Sequence, residues 1–212
     1  METASDRYIR EHSTAQGEAL EWIERQTHIR TNYPRMLSGS VQGRLLTMVA
    51  RMCKARDILE IGSFTGYSAA CLAMGLEDGG RLDALEVNDE LEDLMREGWE
   101  RAGVADKVTL HIGDAKETLK ALSDRRYDLV FIDANKREYT GYYNLVFDLV
   151  RPGGVIIADD VLWDGKLWSD PPAHDAQTLG LKAFNDMVAA DPRVEVVVLP
   201  LRDGLTIMQK TV

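Results

Sequence analysis

Apolar residues in this chain fall first at helical spacing and then, past residue 57, in short blocks separated by amphipathic stretches. Ala19, Leu20, Trp22, Ile23 and Ile29 recur roughly every three to four positions, which predicts an N-terminal helix. Tyr33-Pro34 ends that run, because proline disfavours helix at the residue before it. A second helix is predicted from about Val41 to Lys54. Ile58–Ile61 reads as a strand, followed by a glycine-containing turn and a helix near Tyr67 to Met74. Arg81–Glu86 reads as the next strand, with Asp89 placed to cap the helix after it. Val108–Ile112 is a third strand. Tyr127–Ile132 is a fourth, nearly all apolar, as a strand buried on both faces should be. Pro152-Gly153-Gly154 predicts a turn into a fifth strand, Val155–Ala158, and a helix follows from about Ala176 to Ala190. Val194–Leu199 and Leu205–Met208, joined by Arg202-Asp203-Gly204, read as an antiparallel hairpin. The sum is one domain over 1–212. A helical region spans 1–54, and a Rossmann-like α/β core spans 55–212 with a mostly parallel sheet and an antiparallel C-terminal hairpin.

Composition narrows the function classes. A formal net charge of −10 argues against a nucleic-acid backbone as the main partner, since that affinity rests on Lys and Arg neutralising phosphates. No apolar run approaches the roughly 20 residues of a membrane span. Asp6, Arg7, Arg10, Glu11 and Glu18 interrupt the first thirty residues, which therefore lack a signal peptide's apolar centre; a cytoplasmic location is the expectation. Cys53 and Cys71 lie in apolar segments and read as reduced packing residues.

In open α/β sheets ligands bind beyond the carboxyl ends of the strands. The first strand runs into Glu60-Ile61-Gly62-Ser63-Phe64-Thr65-Gly66-Tyr67-Ser68. Gly62 lets the backbone approach a ligand, and Gly66 lets strand and helix pack closely. The spacing differs from the G-x-G-x-x-G that seats a pyrophosphate on a helix end. Glu60 suggests a ligand with a positive or amine group. Glu86, ending the second strand, is placed to bridge a ribose diol, and Asp114-Ala115 to meet an adenine. Asp133 ends the fourth strand and Asp159 the fifth, so both point to one edge. Hard oxygen ligands there suit Mg²⁺, with Mn²⁺ or Ca²⁺ as alternatives, and no Cys/His cluster suggests zinc. Trp163 and Trp168, with Pro171-Pro172, look like a substrate-facing loop.

Glu-Ile-Gly-x-x-Thr-Gly-Tyr-Ser at 60–68, Phe131-Ile132-Asp133-Ala134-Asn135-Lys136, and Arg151-Pro152-Gly153-Gly154 leading to Asp159-Asp160-Val161-Leu162-Trp163 resemble the caffeoyl-CoA / catechol O-methyltransferase family. The resemblance runs from about Met36 to the final hairpin. It implies a seven-stranded S-adenosylmethionine-dependent methyltransferase fold, a divalent cation, a small hydroxylated aromatic acceptor and a homodimer. Carried over, its cofactor positions are Ser38, Glu60, Gly62, Ser63, Ser68, Glu86, Asp114, Ala115 and Asp133, and its metal positions Asp133, Asp159 and Asp160. Lys136 resembles the family's general base, acting beside Asp133. A free lysine ionises near pH 10.4, so this role needs a neighbouring cation or burial to lower its pKa. The family usually has Asp-Ala-Asp-Lys where this chain has Asp133-Ala134-Asn135-Lys136, and Asp-Asn where it has Asp159-Asp160. One acid is lost and one gained, which reads as a compensating swap.

Three other functions fit parts of the pattern. An NAD-dependent oxidoreductase would use the same sheet, but the glycine spacing is wrong for it. A tRNA methyltransferase acting on a modified uridine would need a local basic surface. A cofactor-sensing protein would not need the acids and Lys136.

Overall fold

The computed structural model describes residues 3–169 and 174–212. Seven strands form one sheet: β1 (Asp57–Ile61), β2 (Arg81–Glu86), β3 (Val108–Ile112), β4 (Tyr127–Ile132), β5 (Val150–Asp159), β6 (Val194–Leu199) and β7 (Leu205–Lys210), in the spatial order β3-β2-β1-β4-β5-β7-β6. The pairs among β1 to β5 are parallel, and β7 runs antiparallel to both β5 and β6. The chain moves outward from β1 to β3 and then restarts on the other side of β1, so β1 and β4 flank the switch point where such sheets bind ligands.

Alternation along the central strands sorts the two cores. Ile58, Leu129, Phe131 and Ile157 face the layer of α2 (Glu18–Arg30), α3 (Ser40–Met52), α4 (Tyr67–Ala73) and α5 (Glu92–Arg101), where Ile23, Leu46, Leu72 and Trp99 are buried. Leu59, Ile61, Val130 and Ile132 face α6 (Ala115–Ala121), α7 (Tyr139–Phe147) and α8 (Ala176–Ala189), and meet Leu119, Tyr143 and Phe184. The period of two thus feeds two independent cores from one strand. A further helix, α1 (Ala4–Glu11), buries no residue.

Two expectations need correction. Pro152-Gly153-Gly154 lies inside β5, as an irregularity where the register with β4 shifts between Tyr127 and Leu129. Proline and glycine mark such ladder interruptions as readily as turns. Asp89 is not the cap: Asn88 Oδ1 accepts the amide of Glu90 at 3.1 Å, and α5 starts without a side-chain cap. The proposed loop residues Pro171 and Pro172 lie outside the described residues. Among the described residues, no helix is long and apolar enough to cross a membrane. Cys53 and Cys71 are both free thiols.

Candidate active site

The loops after β1 and β4 touch directly. Gly62 has φ +90°, and a Cβ there would sit 2.2 Å from the carbonyl oxygen of Asp133. Both the backbone angle and the space therefore require glycine. Gly62 and Asp133 both line a cavity of about 620 Å³ over the carboxyl ends of β1, β2 and β4. Of the residues singled out in the sequence, Gly62, Glu86, Asp114, Ala115 and Asp133 line it, with Lys136, Asp160 and Trp163 further along. Ser38, Glu60, Ser63, Ser68 and Asp159 do not; they are buried outside the lining. Trp168 is 66% exposed and stays out of the cavity.

Glu86 is an anchor for its own surroundings. One carboxylate oxygen accepts the amides of Ser63 (3.1 Å) and Phe64 (2.7 Å), the other those of Val87 and Asn88 (both 2.9 Å). Four backbone donors fix its orientation at the cavity wall, as charge-assisted bonds do. Asp114 caps α6 by accepting the amide of Lys116 at 2.7 Å, which brings Ala115 to the lining.

Glu60 is fully buried. Burial pushes its carboxyl up to about 8, against the hydrogen bond that the Ser63 hydroxyl donates to Oε2. Its Oε1 has no partner, an uncompensated buried oxygen that calls for a donor.

The acid cluster sits at the ends of β4 and β5. Lys136 Nζ lies 2.7 Å from Asp133 Oδ1 and 3.2 Å from Asp160 Oδ2, and donates to the Tyr139 hydroxyl at 2.7 Å. Tyr139 in turn donates to the carbonyl of Asp159 at 2.9 Å. Burial pulls the Lys136 pKa down, but Asp133, Tyr139 and Asp160 outweigh it and hold the ammonium well above its ordinary range. The expectation of a lowered lysine pKa is not met in this arrangement, because the two carboxylates favour the charged form. The nearby Glu138 pairs instead with Lys116 at 2.6 Å. Burial, then the neighbouring Asp133 and Asp160, push the Asp159 carboxyl up to about 7. Burial likewise raises Asp133.

The swap of acids has a backbone rationale. Asp160 has φ 56°, a region in which Asn and Asp are the favoured residues after glycine. Either residue therefore suits position 160, and the aspartate adds a charge that Lys136 meets. Asn135 uses its side-chain oxygen to accept the amide of Arg137 at 3.3 Å.

Chemically the donors are hard oxygens with more negative charge than Lys136 alone offsets, which suits a divalent cation. Among the described residues no three such side chains already form a coordination set. Lys136 holds two of the acids, so it must release them for an ion to bind. For a nucleoside-type cofactor, the orphaned Glu60 oxygen and the bare Gly62 turn fit an ammonium and a closely approaching ligand.

Two residues that sequence reasoning missed hold this cluster. Gln42, fully buried on α3, donates its amide to Asp159 Oδ2, while the amide of Asp160 takes Oδ1 at 2.8 Å. Gln42 and Asp159 are 117 positions apart, so no local pattern could signal the pair. Tyr139 follows Lys136 by three residues, a spacing that puts it within reach across one helical turn.

Residues 10–211 match the family model for O-methyltransferases. The probable caffeoyl-CoA O-methyltransferase 2 of Dictyostelium discoideum is 37% identical over 180 residues, which is 82% of this chain and 78% of that protein. Caffeoyl-CoA O-methyltransferase 1 of Arabidopsis thaliana is 35% identical over 185 residues, covering 82% of this chain and 71% of that one. Among solved structures, the O-methyltransferase from Bacillus cereus in complex with SAH has a TM-score of 0.91 at 32% identity, covering 99% of this chain and 98% of that one. The O-methyltransferase TomG from Streptomyces achromogenes, involved in tomaymycin synthesis and in complex with SAM, has a TM-score of 0.91 at 32% identity, covering 100% and 97%.

Proposed function

The chain belongs to the O-methyltransferase family and is an S-adenosylmethionine-dependent enzyme of that class, and from this premise we propose that it methylates a hydroxyl of a small catechol-like or caffeoyl-type acceptor with the help of a divalent cation. The observation that carries this reading is the cluster of Asp133, Asp159 and Asp160 at the ends of β4 and β5: Asp133 and Asp160 line the cofactor-sized cavity and hold the Lys136 ammonium, and the buried Asp159 carboxylate lies beside them.

S-adenosylmethionine supplies the methyl carbon: its bond to sulfur breaks as the bond to the acceptor oxygen forms, sulfur keeps the electron pair, and the hydroxyl proton leaves. A divalent ion held by Asp133, Asp159 and Asp160 would supply a Lewis acid that lowers the hydroxyl's pKa. The protein's own residues do the rest. Glu86 is placed for the ribose hydroxyls, Asp114 and Ala115 for the adenine end, and Gly62 lets the backbone close on the ligand. Ser63 also gives its amide to Glu86 and its hydroxyl to Glu60, and Ser38 and Ser68, buried outside the lining, are the remaining cofactor positions we assign. Lys136 Nζ is the base we assign. Once Asp133 and Asp160 are engaged elsewhere, burial is the dominant influence left on its ammonium, and burial lowers a lysine pKa.

Methyl transfer to a panel of vicinal diols, caffeoyl esters, monophenols and hydroxylated nucleosides tests the acceptor. Diols and caffeoyl esters should be methylated, with monophenols at least tenfold slower. Transfer only to nucleosides would overturn the acceptor and favour the modified-uridine reading.

Glu60 makes a second prediction. Its folded carboxyl holds a proton up to about pH 8, whereas the ordinary value is 4.5. Between these values the folded state binds more protons than the unfolded one, so this group's contribution to stability falls as pH rises. An ammonium brought to the orphaned oxygen favours the carboxylate. Cofactor binding near pH 7 should therefore release a proton from Glu60. Calorimetry in buffers of different ionisation heat measures that release, and Glu60→Gln should lower it. Equal proton release from wild type and variant would remove Glu60 from the cofactor site.

We also propose a homodimer. The family likeness supports it, and α1 buries none of its residues within the chain. Light scattering at micromolar concentration should give twice the 23.7 kDa chain mass; a clean monomer contradicts it.

A further inference from the structure

A second cavity, of about 460 Å³, opens between residues 32–36 and the turn joining β6 to β7. Met36 and Asp160 line both cavities, so the two meet at the acid cluster. On the reading above, the acceptor's hydroxyls sit at that cluster and the cofactor fills the first cavity. The rest of the acceptor then has the second cavity to occupy. Tyr33 and Met36 leave large side chains uncovered on its wall, at 70% and 58% exposure, which suits contact with a flat ring.

Charge discriminates further. Four charged residues line this cavity, and three are already engaged. Asp160 is held by Lys136 at 3.2 Å. Asp203 accepts the amide of Asp164. Arg202 gives its guanidinium N–H groups to the carbonyls of Arg35, Leu37 and Ser38. The fourth, Arg35, is exposed, and its side chain makes no hydrogen bond or ion pair among the described residues. Its backbone carbonyl is fixed by Arg202 at 3.3 Å, so an anchored main chain presents an unpaired guanidinium fork at the cavity wall. That fork matches the paired oxygens of a carboxylate or phosphate.

We propose that the second cavity binds the far end of the acceptor and that Arg35 selects acceptors carrying an acidic group there. The preferred substrate class is a vicinal aromatic diol with a carboxylate or phosphate on the side of the ring opposite the hydroxyls. This rests on the methyl-transfer reading for the placement of the diol, and on the local geometry for the role of Arg35.

The test uses the full chain with 3,4-dihydroxybenzoate, 3,4-dihydroxybenzyl phosphate and the neutral 3,4-dihydroxybenzamide. KM is measured for methylation, and Kd by calorimetry with S-adenosylhomocysteine and Mg²⁺ present. For a partly exposed charge-assisted contact, wild type should favour an acidic ligand over the amide by roughly three- to tenfold in both constants. Which of the two acids gains more identifies the group recognised. In Arg35→Ala the ratio should collapse towards one, and Arg35→Lys should restore part of it. No preference in wild type, or a preference that persists in Arg35→Ala, overturns the assignment. If none of the diols is methylated while the calorimetric preference appears and is lost in Arg35→Ala, the diol-acceptor reading fails and the Arg35 site stands.

Discussion

Replacing Lys136 with Ala should lower turnover by about 10²- to 10⁴-fold, the usual weight of general acid–base catalysis. The expectation does not rest on the resting charge state of the lysine. Where it stands, Lys136 is 6% exposed and holds Asp133 and Tyr139 at 2.7 Å each, and these partners keep its proton on. A base in that state is latent. It becomes competent when its carboxylate partners are drawn to another positive charge, because a buried ammonium without anions is poorly solvated. Lys136→Arg would keep the ion pairs and the positive charge but stays protonated throughout, so it should not restore turnover. That contrast separates a proton-accepting role from a purely structural one. A structural strut would be rescued by arginine, and its loss would show mainly as a lower melting temperature. Near-normal turnover in Lys136→Ala at pH 7 would leave deprotonation to other groups.

Chelation should act at least as strongly. With the ion stripped by excess EDTA, transfer to a vicinal diol should fall by roughly a hundredfold or more, since Lewis-acid stabilisation of a developing oxyanion is worth several kcal/mol. Mg²⁺ or Mn²⁺ should restore it. Asp159 is well prepared for such an ion. Gln42 and the amide of Asp160 fix its two oxygens, and it is 3% exposed. Asp133 and Asp160 both contact Lys136, so ion binding displaces one internal cation with a stronger one. Full turnover after metal stripping would show that the acids need no partner beyond Lys136 and Gln42, and the cation would be withdrawn.

How much of the fold is legible in the sequence depends on where each signal resides. The strands β1 to β7 stand out because a mainly apolar run of four to six residues between polar breaks is long enough to cross a sheet and too short for a buried helix. Helices α6 and α7 carry no comparable signal. The second reads Tyr-Thr-Gly-Tyr-Tyr-Asn-Leu-Val-Phe, a segment of weak helix formers whose Tyr139, Tyr143 and Phe147 are held by packing on the sheet. Strand-end residues Gly62, Glu86, Asp114 and Asp133 can be placed at one edge by counting, since topology alone brings them there. Gln42, Arg35 and Arg202 cannot, because their relevance comes from contacts or cavity walls shared across most of the chain. The charge state of Lys136 escapes the sequence for a related reason. Spacing puts it near Asp133, but only the folded arrangement adds Asp160 and Tyr139.

The bolt formed by Arg202 bears on how the protein is made. It ties a turn near the end of the chain to carbonyls that lie 164 to 167 positions earlier. Residues 32–36 leave the ribosome long before their clamp is synthesised, so the wall of the second cavity stays unfixed through most of translation. Contacts of such span form late and slow the search for the native state. A nascent chain lacking the final hairpin would carry the glycine turn after β1 and the Glu86 anchor, yet would have no seat for an acceptor. Competence for transfer would then arrive in a single late step, when the last two strands dock.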